Sequence, residues 1–463
     1  MKLSIIDITI ILVYFLVILF VGFKAKIKKQ STNEENYLLA GRKITLPFFV
    51  ASLVATWYGN ILGIGEFVYR SGIVAWICFG VPYYISAFLF AIFIASKIRN
   101  LGFNSIPEQI SNTFGATSGF FASIVVLLIT LPAAYILMLG EIFQIISGQN
   151  LLFSIIIVTV LSLIYLFWGG LKSDVWTNSI QFILMYVGFF VLLIFAFFTF
   201  GSLSDMILKL PQQHLTILGD KSIQYVVAWF IISLQTFVDP SFHQRCAASL
   251  NSKTARNGVL VSIGFWIIFD LLTLITGLYA RAYLSINDPL QTYPILAEKV
   301  LPEFWKGIFV VSMLSVIMST LDSYAFISAA TIGKDILKKF RRFTRFSTIH
   351  LTQAGLLITM VFSIVIALAL PSVIDIIYKT SSVAIPGLLL PVLLTYFPKY
   401  RFNPKLINWA IILPVTISLF WVFAQLFLSD KFSIFLQFEP MMPGIFVSFI
   451  FAIVFLRRKI DNI

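Results

Sequence analysis

Long apolar runs fill this sequence almost from end to end, and they constrain its fold more than any other feature. An α-helix of roughly 20 apolar residues is needed to cross the hydrocarbon core of a bilayer. Thirteen runs of suitable length can be marked: 4–23, 46–71, 73–96, 117–139, 151–168, 175–200, 223–244, 257–280, 307–332, 349–370, 374–397, 407–428 and 438–456. Because lipid offers the backbone no hydrogen-bond partner, such runs must be helical. We therefore predict an all-α polytopic membrane protein with about thirteen transmembrane helices.

Composition supports this class of protein and indicates its orientation. Hydrophobic residues make up 59% of the 463 residues and charged residues only 11%, against about 25% charged residues in soluble domains. The net charge of +13 arises mainly in loops on one side of the predicted helices, and Arg245, directly after the seventh run, is one of these predicted loop charges. Since lysine and arginine accumulate in cytoplasmic loops, we expect a cell-membrane protein with its N-terminus outside and its C-terminus in the cytoplasm. We expect the protein to interact with the lipid bilayer. We expect no nucleic-acid partner and no obligate protein partner.

Two of the predicted helices carry interruptions. Gly59, Gly63 and Gly65 cluster within the second run, and Asp239 precedes Pro240 within the seventh. Proline removes a backbone donor and disfavours helix at the residue before it. Broken helices at matching positions of two halves are typical of a transporter binding site. Ordinary kinks are the alternative, since glycine and proline are common in membrane helices.

The second and seventh runs each begin a set of five, and an odd number of helices inverts the second set in the membrane. This predicts one membrane domain with four segments. They are an N-terminal extra helix and cytoplasmic loop at 1–45, a first five-helix repeat at 46–200, a second at 223–397, and two C-terminal extra helices at 398–463.

The ninth run carries most of the polar residues that could bind an ion. Val316, Ser319 and Thr320 have i, i+3 and i+4 spacing, which places them on one helix face. Two hydroxyls and a backbone carbonyl are hard, uncharged oxygen ligands that suit a weakly held monovalent cation, completed by carbonyls of an unwound helix. Helix packing through small hydroxyl residues is the alternative.

Acidic residues within the runs are a second set of candidates. Asp322 is costly at membrane depth and could bind a cation, carry a proton or form a structural hydrogen bond. Asp239 could be a ligand, a helix cap or a gate residue. With Glu66, which has Arg70 four residues later, it favours a solute with a cationic group. Asp270 is deep in the eighth run and isolated.

Catalysis has little support in the sequence. The three histidines form no metal-ligand spacing, and no nucleophile or phosphate-loop motif is present. We expect a protein that is not an enzyme and has no organic cofactor.

Several segments occur in an order and spacing that resemble the sodium:solute symporter family, which includes sodium-coupled proline, pantothenate, sialic acid and sugar transporters. The similarity runs over roughly residues 5–400. Its segments are YLLAGRKI, ATWYG, SIPEQISNTFG, GGLKSDVWTNSIQ, QRCAASLNSKTARNG and MSTLDS. The resemblance implies the leucine-transporter-like fold of two inverted five-helix repeats.

The resemblance also implies binding residues. A sodium site is expected from the carbonyls of Ala55, Tyr58 and Val316 and the hydroxyls of Ser319 and Thr320. The solute is expected beside it, at Trp57, Gly59, Asn60, Gln235, Asp239 and Ser241.

Two departures from the family pattern stand out. The stretch from Ala55 to Gly63 is about two residues shorter than usual. Asn178 stands where relatives often have an aspartate, which in some of them helps to hold a second sodium ion. A second cation or proton site is therefore expected, if present, from these residues: Asp174, Asn178, Asp322 and Ser323.

The resulting hypothesis is a secondary active symporter. It imports a small polar organic solute, such as proline or another amino acid, a carboxylate or a sugar, with one Na⁺ per cycle. A proton-coupled carrier that uses Asp322 is one alternative. A non-transporting membrane sensor on the same fold is another, although we expect no output domain after Lys459.

Overall fold

The computed structural model describes residues 2–25, 34–370, 373–397, 400–427, 438–455 and 457–458. Within these residues the regular secondary structure is helical, apart from a two-residue antiparallel ladder, β1 (Tyr400–Arg401) with β2 (Arg457–Arg458), and an isolated bridge between Ile44 and Ser249. The helices up to the middle of the chain are α1 (Ile5–Lys24), α2 (Glu34–Leu39), α3 (Leu46–Trp57), α4 (Ile61–Ser71), α5 (Val74–Phe79), α6 (Val81–Phe90), α7 (Ser96–Leu101), α8 (Ile106–Phe114), α9 (Ala116–Thr130), α10 (Ala133–Ser147), α11 (Leu151–Phe200) and α12 (Leu203–Lys209).

The second half of the chain continues in the same way. Its helices are α13 (Ile223–Ile232), α14 (Pro240–Ala248), α15 (Ser252–Tyr283), α16 (Thr292–Val300), α17 (Trp305–Ala330), α18 (Thr348–Ala369), α19 (Val373–Tyr396), α20 (Pro404–Phe427) and α21 (Met441–Phe455). Short 3₁₀ turns lie at Ala40–Arg42, Gln212–Leu215, Ser233–Phe237, Pro289–Gln291, Leu337–Lys339 and Arg341–Phe343, and π-helical turns at Ala91–Ala95 and Thr331–Ile336.

The number of membrane crossings agrees with the sequence prediction. Among the described residues, 10 helical segments are long and apolar enough to span a bilayer, and the pair α3 and α4 is an eleventh. The 50-residue α11 contains a break at Gly170, whose φ is 58°. A straight helix of that length would extend about 75 Å, so α11 accounts for two crossings. With the shorter α21, each predicted run has a helical counterpart, and the all-α polytopic class is confirmed.

Both predicted helix breaks are present. Helix α3 ends at Trp57 and α4 begins at Ile61, with a bend of 58° between them. Helix α13 gives way to the 3₁₀ turn Ser233–Phe237 before α14 starts at Pro240. The Asp239 carboxylate caps α14 by accepting a hydrogen bond from the Ser241 amide at 2.8 Å. The two breaks therefore leave backbone groups free of helical partners in the middle of the bundle.

Helix α17 is the central element of the bundle. Nearly all of its side chains from Phe309 to Ala329 are buried, and it packs against α11, α18, α1 and α3. Because protein surrounds α17 on all sides, its hydroxyl groups face other helices and not lipid.

One residue lies far from its predicted place. The sequence places Arg245 in the cytoplasmic flank after the seventh run, but its side chain is fully buried in α14. The reason is that α14 continues to Ala248 and is tied to the segment before α3. The Ile44 amide donates to the Ala248 carbonyl at 3.2 Å, and the Leu250 amide donates to the Ile44 carbonyl at 2.8 Å. This attachment holds the last turns of α14 inside the bundle.

The predicted orientation can be tested with single cysteines at two exposed loop positions, Gln213→Cys and Arg342→Cys. We expect a membrane-impermeant maleimide to label the first variant in intact cells and the second only after permeabilisation. Cys78 and Cys246 are buried and should contribute little background. Labelling of Arg342→Cys in intact cells would contradict the orientation.

Candidate functional site

The end of α3 meets two hydroxyls of α17. The Ser319 hydroxyl lies 2.7 Å from the Ala55 carbonyl and 2.8 Å from that of Val316. The Thr320 hydroxyl lies 2.9 Å from the Thr56 carbonyl and 3.3 Å from that of Val316. Carbonyls in the last turn of a helix have no intrahelical donor, so α17 supplies one. The result is a buried cluster of five uncharged oxygen atoms.

Four of the five predicted sodium ligands lie in this cluster. Tyr58 was predicted to contribute its carbonyl, and that role stays a prediction, because the hydrogen bond described for Tyr58 is made by its side chain. Its ring is buried, and its hydroxyl donates to the Trp266 carbonyl at 2.9 Å. The carbonyl that accepts from Thr320 belongs to Thr56, which was absent from the predicted set. The break itself explains this, because the chain departs from helical geometry at Tyr58.

A cavity of about 110 Å³, which we call the inner cavity, lies between the two helix breaks. Five of the predicted solute residues line it: Trp57, Asn60, Gln235, Asp239 and Ser241. Gly59 is the exception. It packs tightly against its neighbours, because a Cβ atom added to it would lie 2.6 Å from Thr320 and 2.6 Å from Tyr135. Gly59 thus lets α3 and α17 approach each other beside the cavity.

The wall of the inner cavity is mainly aromatic and acidic. Trp57 lies with its ring centroid 5.0 Å from that of Tyr83 and 5.7 Å from that of Phe242. The Tyr324 hydroxyl donates to Asp239 at 2.9 Å. Asp270 of α15 also lines the cavity and accepts a hydrogen bond from the Tyr84 hydroxyl. The cavity therefore presents two carboxyl groups among aromatic rings.

A larger cavity of about 320 Å³, the outer cavity, adjoins the inner one and shares Asn60, Phe79, Tyr83 and Gln235 with it. Lys221, from the loop predicted to be external, is part of its wall. Glu66 lies there too, where Arg70 binds it at 2.9 Å. On the opposite side, the pocket around Asn104 and Asp335 measures only about 30 Å³. The inner cavity therefore adjoins the larger cavity on the side that is predicted to be external.

Arg245 lies at the centre of a fully buried polar network. Its guanidinium donates to Ser52 at 2.9 Å, Thr56 at 2.8 Å and Ser323 at 2.7 Å. It also forms an ion pair with Asp174 at 3.3 Å. A buried charge is stable only when it is paired and hydrogen-bonded, and this network meets both conditions.

The structure brings together three of the four residues predicted for a second cation or proton site. Asp174 accepts from Ser323 at 2.8 Å and from Asn178 at 3.1 Å, so these residues share the Arg245 network. Asp322 points towards α11, where it accepts a hydrogen bond from Tyr165. Its other oxygen has no hydrogen-bond partner among the described residues.

Comparison with known sequences identifies the family. The sequence profile of the sodium:solute symporter family matches residues 37–413. The chain belongs to this family. Its similarity to individual members is modest: it is 24% identical over 393 residues to the high-affinity choline transporter 1 of Drosophila melanogaster, covering 78% of this chain and 62% of the fly protein.

Other relatives support the same assignment. This symporter-family chain is 25% identical over 347 residues to the sodium/proline symporter of Haemophilus influenzae, covering 67% of each protein. Among solved structures, a Na⁺-coupled sialic acid symporter superposes with a TM-score of 0.80 at 16% identity, over 99% of this chain and 100% of that one. This likeness confirms the leucine-transporter-like fold.

Sequence reasoning missed several residues of this site. Arg245 was assigned to a loop, although it lies four residues after Ser241 and hence on the same face of α14. Asp270 was noted only as an isolated acid. The rings of Tyr83, Tyr135 and Tyr324 come from three different helices. No sequence pattern could have brought them together, because their proximity depends on how the helices pack.

Because Gly59 packs closely against Thr320, the effect of a Gly59→Ala substitution on stability can be predicted. Gly59→Ala should lower thermal stability and sodium-dependent stabilisation together, because its Cβ would displace Thr320, and overpacking of this kind costs about 1–3 kcal/mol. Gly264→Ala is the matched control, since a Cβ added there would have no neighbouring atom within 4 Å. Melting temperatures of the purified variants measure both effects. Equal stability of the two variants would contradict the packing argument.

The Arg245 network predicts a rescue. Arg245→Met should destabilise the protein strongly, by about 3–5 kcal/mol, because Asp174 would remain as an unpaired buried charge. Asp174→Asn in the same chain should recover much of the loss. Thermal unfolding of the single and double variants tests this pairing. A double variant no more stable than Arg245→Met would show that the ion pair is not the main interaction of Arg245.

Proposed function

We propose that this protein is a sodium-coupled secondary active symporter that imports a small polar organic solute by alternating access. The proposal rests on one observation: the oxygen cluster and the inner cavity meet at the break after α3. The Thr56 carbonyl belongs to the oxygen cluster with α17, and the Thr56 residue also lines the inner cavity. An ion and a solute bound there would contact the same short segment of chain.

The chemistry of the oxygen cluster suits Na⁺. We propose Ala55, Val316, Ser319 and Thr320 as ligands, with a further carbonyl from Thr56 or Tyr58. Unwound carbonyls at a broken helix commonly coordinate Na⁺ in transporters. The Ser319 and Thr320 hydroxyl hydrogens now point at carbonyls, and rotation of these hydrogens would release the oxygen lone pairs towards a cation. The site carries no formal charge, which favours reversible binding.

Coupling follows from this arrangement. A cation at the end of α3 would hold Trp57 and Asn60 in place beside the inner cavity. Ion and solute would then each favour the same conformation, which is the thermodynamic condition for coupled transport. One cation that moves inward through 100 mV supplies about 2.3 kcal/mol, and this corresponds to about a fifty-fold solute gradient.

We propose one Na⁺ per cycle. The residues around a possible second site already hold the positive charge of Arg245, which is bonded to Asp174 and Ser323. A second cation there would have to displace or repel a buried guanidinium. Import follows from the inward direction of the sodium gradient, and a solute could enter from the outer cavity, which adjoins the inner cavity on the predicted external side.

A proton-coupled carrier is the second candidate, and one observation favours it. Asp322 is fully buried against Tyr165, has no cationic partner among the described residues, and keeps one oxygen without a hydrogen bond. A carboxyl group in such a place can be held in its protonated form. Uptake driven by a pH gradient without sodium would support Asp322 as the proton carrier.

The sodium proposal predicts the behaviour of two α17 variants. Na⁺ should raise the melting temperature of the purified protein more than K⁺ does. Ser319→Ala with Thr320→Ala should abolish this difference by removing two ligand oxygens. Ser312→Ala is the matched control, since its hydroxyl bonds within its own helix, to the Phe309 carbonyl at 2.9 Å.

The outcomes separate the two candidates. Loss of the Na⁺ effect in the double variant but not in the control supports the proposed site. An unchanged Na⁺ effect in the double variant rules that site out. Stabilisation that is indifferent to Na⁺ and changes with pH would assign coupling to protons.

A further inference from the structure

The charge of the inner cavity is unbalanced. Among the described residues that line it, two are acidic, Asp239 and Asp270, and none is a lysine, arginine or histidine. Acidic side chains at membrane depth are expensive unless they have a partner. A cavity with this lining is electrostatically suited to a positively charged occupant.

The hydrogen-bond partners of the two acids are neutral. Asp239 accepts from the Tyr324 hydroxyl at 2.9 Å and from the Ser241 amide at 2.8 Å. Asp270 accepts from the Tyr84 hydroxyl. These donors orient the carboxyl groups and bring no positive charge to them. Asp270 is only half-buried although it lies in the middle of α15, because it borders the cavity.

Arg245 does not balance these charges. It lies close to Asp239, since its guanidinium donates to the Ser241 carbonyl at 3.3 Å. Its single positive charge is nevertheless matched by its ion pair with Asp174. Asp174, Asp239 and Asp270 together outnumber this one guanidinium, so the carboxyl groups of the inner cavity have no cationic partner of their own among the described residues.

The aromatic side chains add a second feature that favours a cation. The Trp57 ring lies edge to face with those of Tyr83 and Phe242, at centroid distances of 5.0 and 5.7 Å, and all three residues border the cavity. Tyr135 and Tyr324 form a further pair at 5.7 Å. Aromatic faces attract cations, most strongly in desolvated sites, and cages of such rings recognise quaternary ammonium groups.

We propose that the solute carries a positively charged amine or quaternary ammonium group, which binds in the inner cavity between the aromatic rings and the carboxyl groups of Asp239 and Asp270. This proposal rests on the proposed transport function and specifies the substrate class. It also revises the role of Glu66: that carboxylate already has Arg70 as its partner in the outer cavity, and Asp270 takes its place as the second acid.

The test compares molecules of similar shape in which a carbon atom replaces the positively charged nitrogen. Choline and its uncharged carbon isostere 3,3-dimethylbutan-1-ol form one pair, and proline and cyclopentanecarboxylate form another. Glucose and pantothenate represent solutes without an ammonium group. Melting temperatures of the wild-type protein are measured with each compound in sodium and in potassium buffer. We expect an ammonium compound to stabilise the protein in sodium, and its partner without nitrogen to have no effect.

Variants then locate the binding group. Asp270→Asn and Trp57→Leu should each weaken binding of the stabilising compound by about tenfold or more, since each removes one attraction that holds the cation. Asp288→Asn makes the same acid-to-amide change at an exposed external residue and should leave the affinity unchanged. The paired compounds are tested on the wild-type protein, so the solute class can be tested even if a variant folds poorly.

Each result bears on one proposal. Stabilisation by glucose or pantothenate alone, equal effects of both members of a pair, or no effect of either ammonium compound would overturn the assignment of the solute. Retention of full affinity in Asp270→Asn and Trp57→Leu would overturn the assignment of the cavity. An ammonium compound that binds equally in sodium and potassium would support the solute class and contradict sodium coupling.

Discussion

The backbone carbonyls that the break after Trp57 leaves without helical donors determine how the rest of this protein is arranged. At membrane depth an unsatisfied carbonyl costs several kcal/mol, so a partner must come from another helix. Ser319 and Thr320 of α17 provide it for Ala55 and Thr56. The same contact forms an uncharged oxygen cluster, fixes the distance between α3 and α17, and places the wall of the inner cavity.

A second constraint is the cost of charge inside the bundle. Arg245 is acceptable there because Asp174 and several hydroxyls surround it. Asp239 and Asp270 have neutral donors only, and both border a cavity. The contrast separates structural charge from charge that is available to a ligand. A charged group whose partners all lie in the protein holds helices together, whereas a carboxyl group that borders a cavity is exposed to whatever enters that cavity.

Much of the architecture could be predicted from the sequence, because helix length and apolar patterning are local properties. The breaks near Gly59 and Pro240 were also predictable, since glycine and proline act on their own backbone. The solute residues carried over from the family resemblance lie around one cavity, except Gly59, which packs against Thr320 of α17. The prediction that Arg245 lies in a loop was wrong. A charged residue directly after an apolar run is normally a loop residue, and only the packing of α14 shows that this one is buried.

The sequence by itself determined that this chain crosses a membrane repeatedly as helices, where two of those helices break, and that the hydroxyl groups of Ser319 and Thr320 lie on one face of α17. These results follow from the length of apolar runs and the stereochemistry of single residues. Only the tertiary structure decided that Ser323 turns to Asp174 while its neighbour Asp322 turns to Tyr165, and that Asp270 borders the inner cavity. Adjacent helical residues point in different directions, and their partners lie on distant segments, so packing alone assigns them their neighbours.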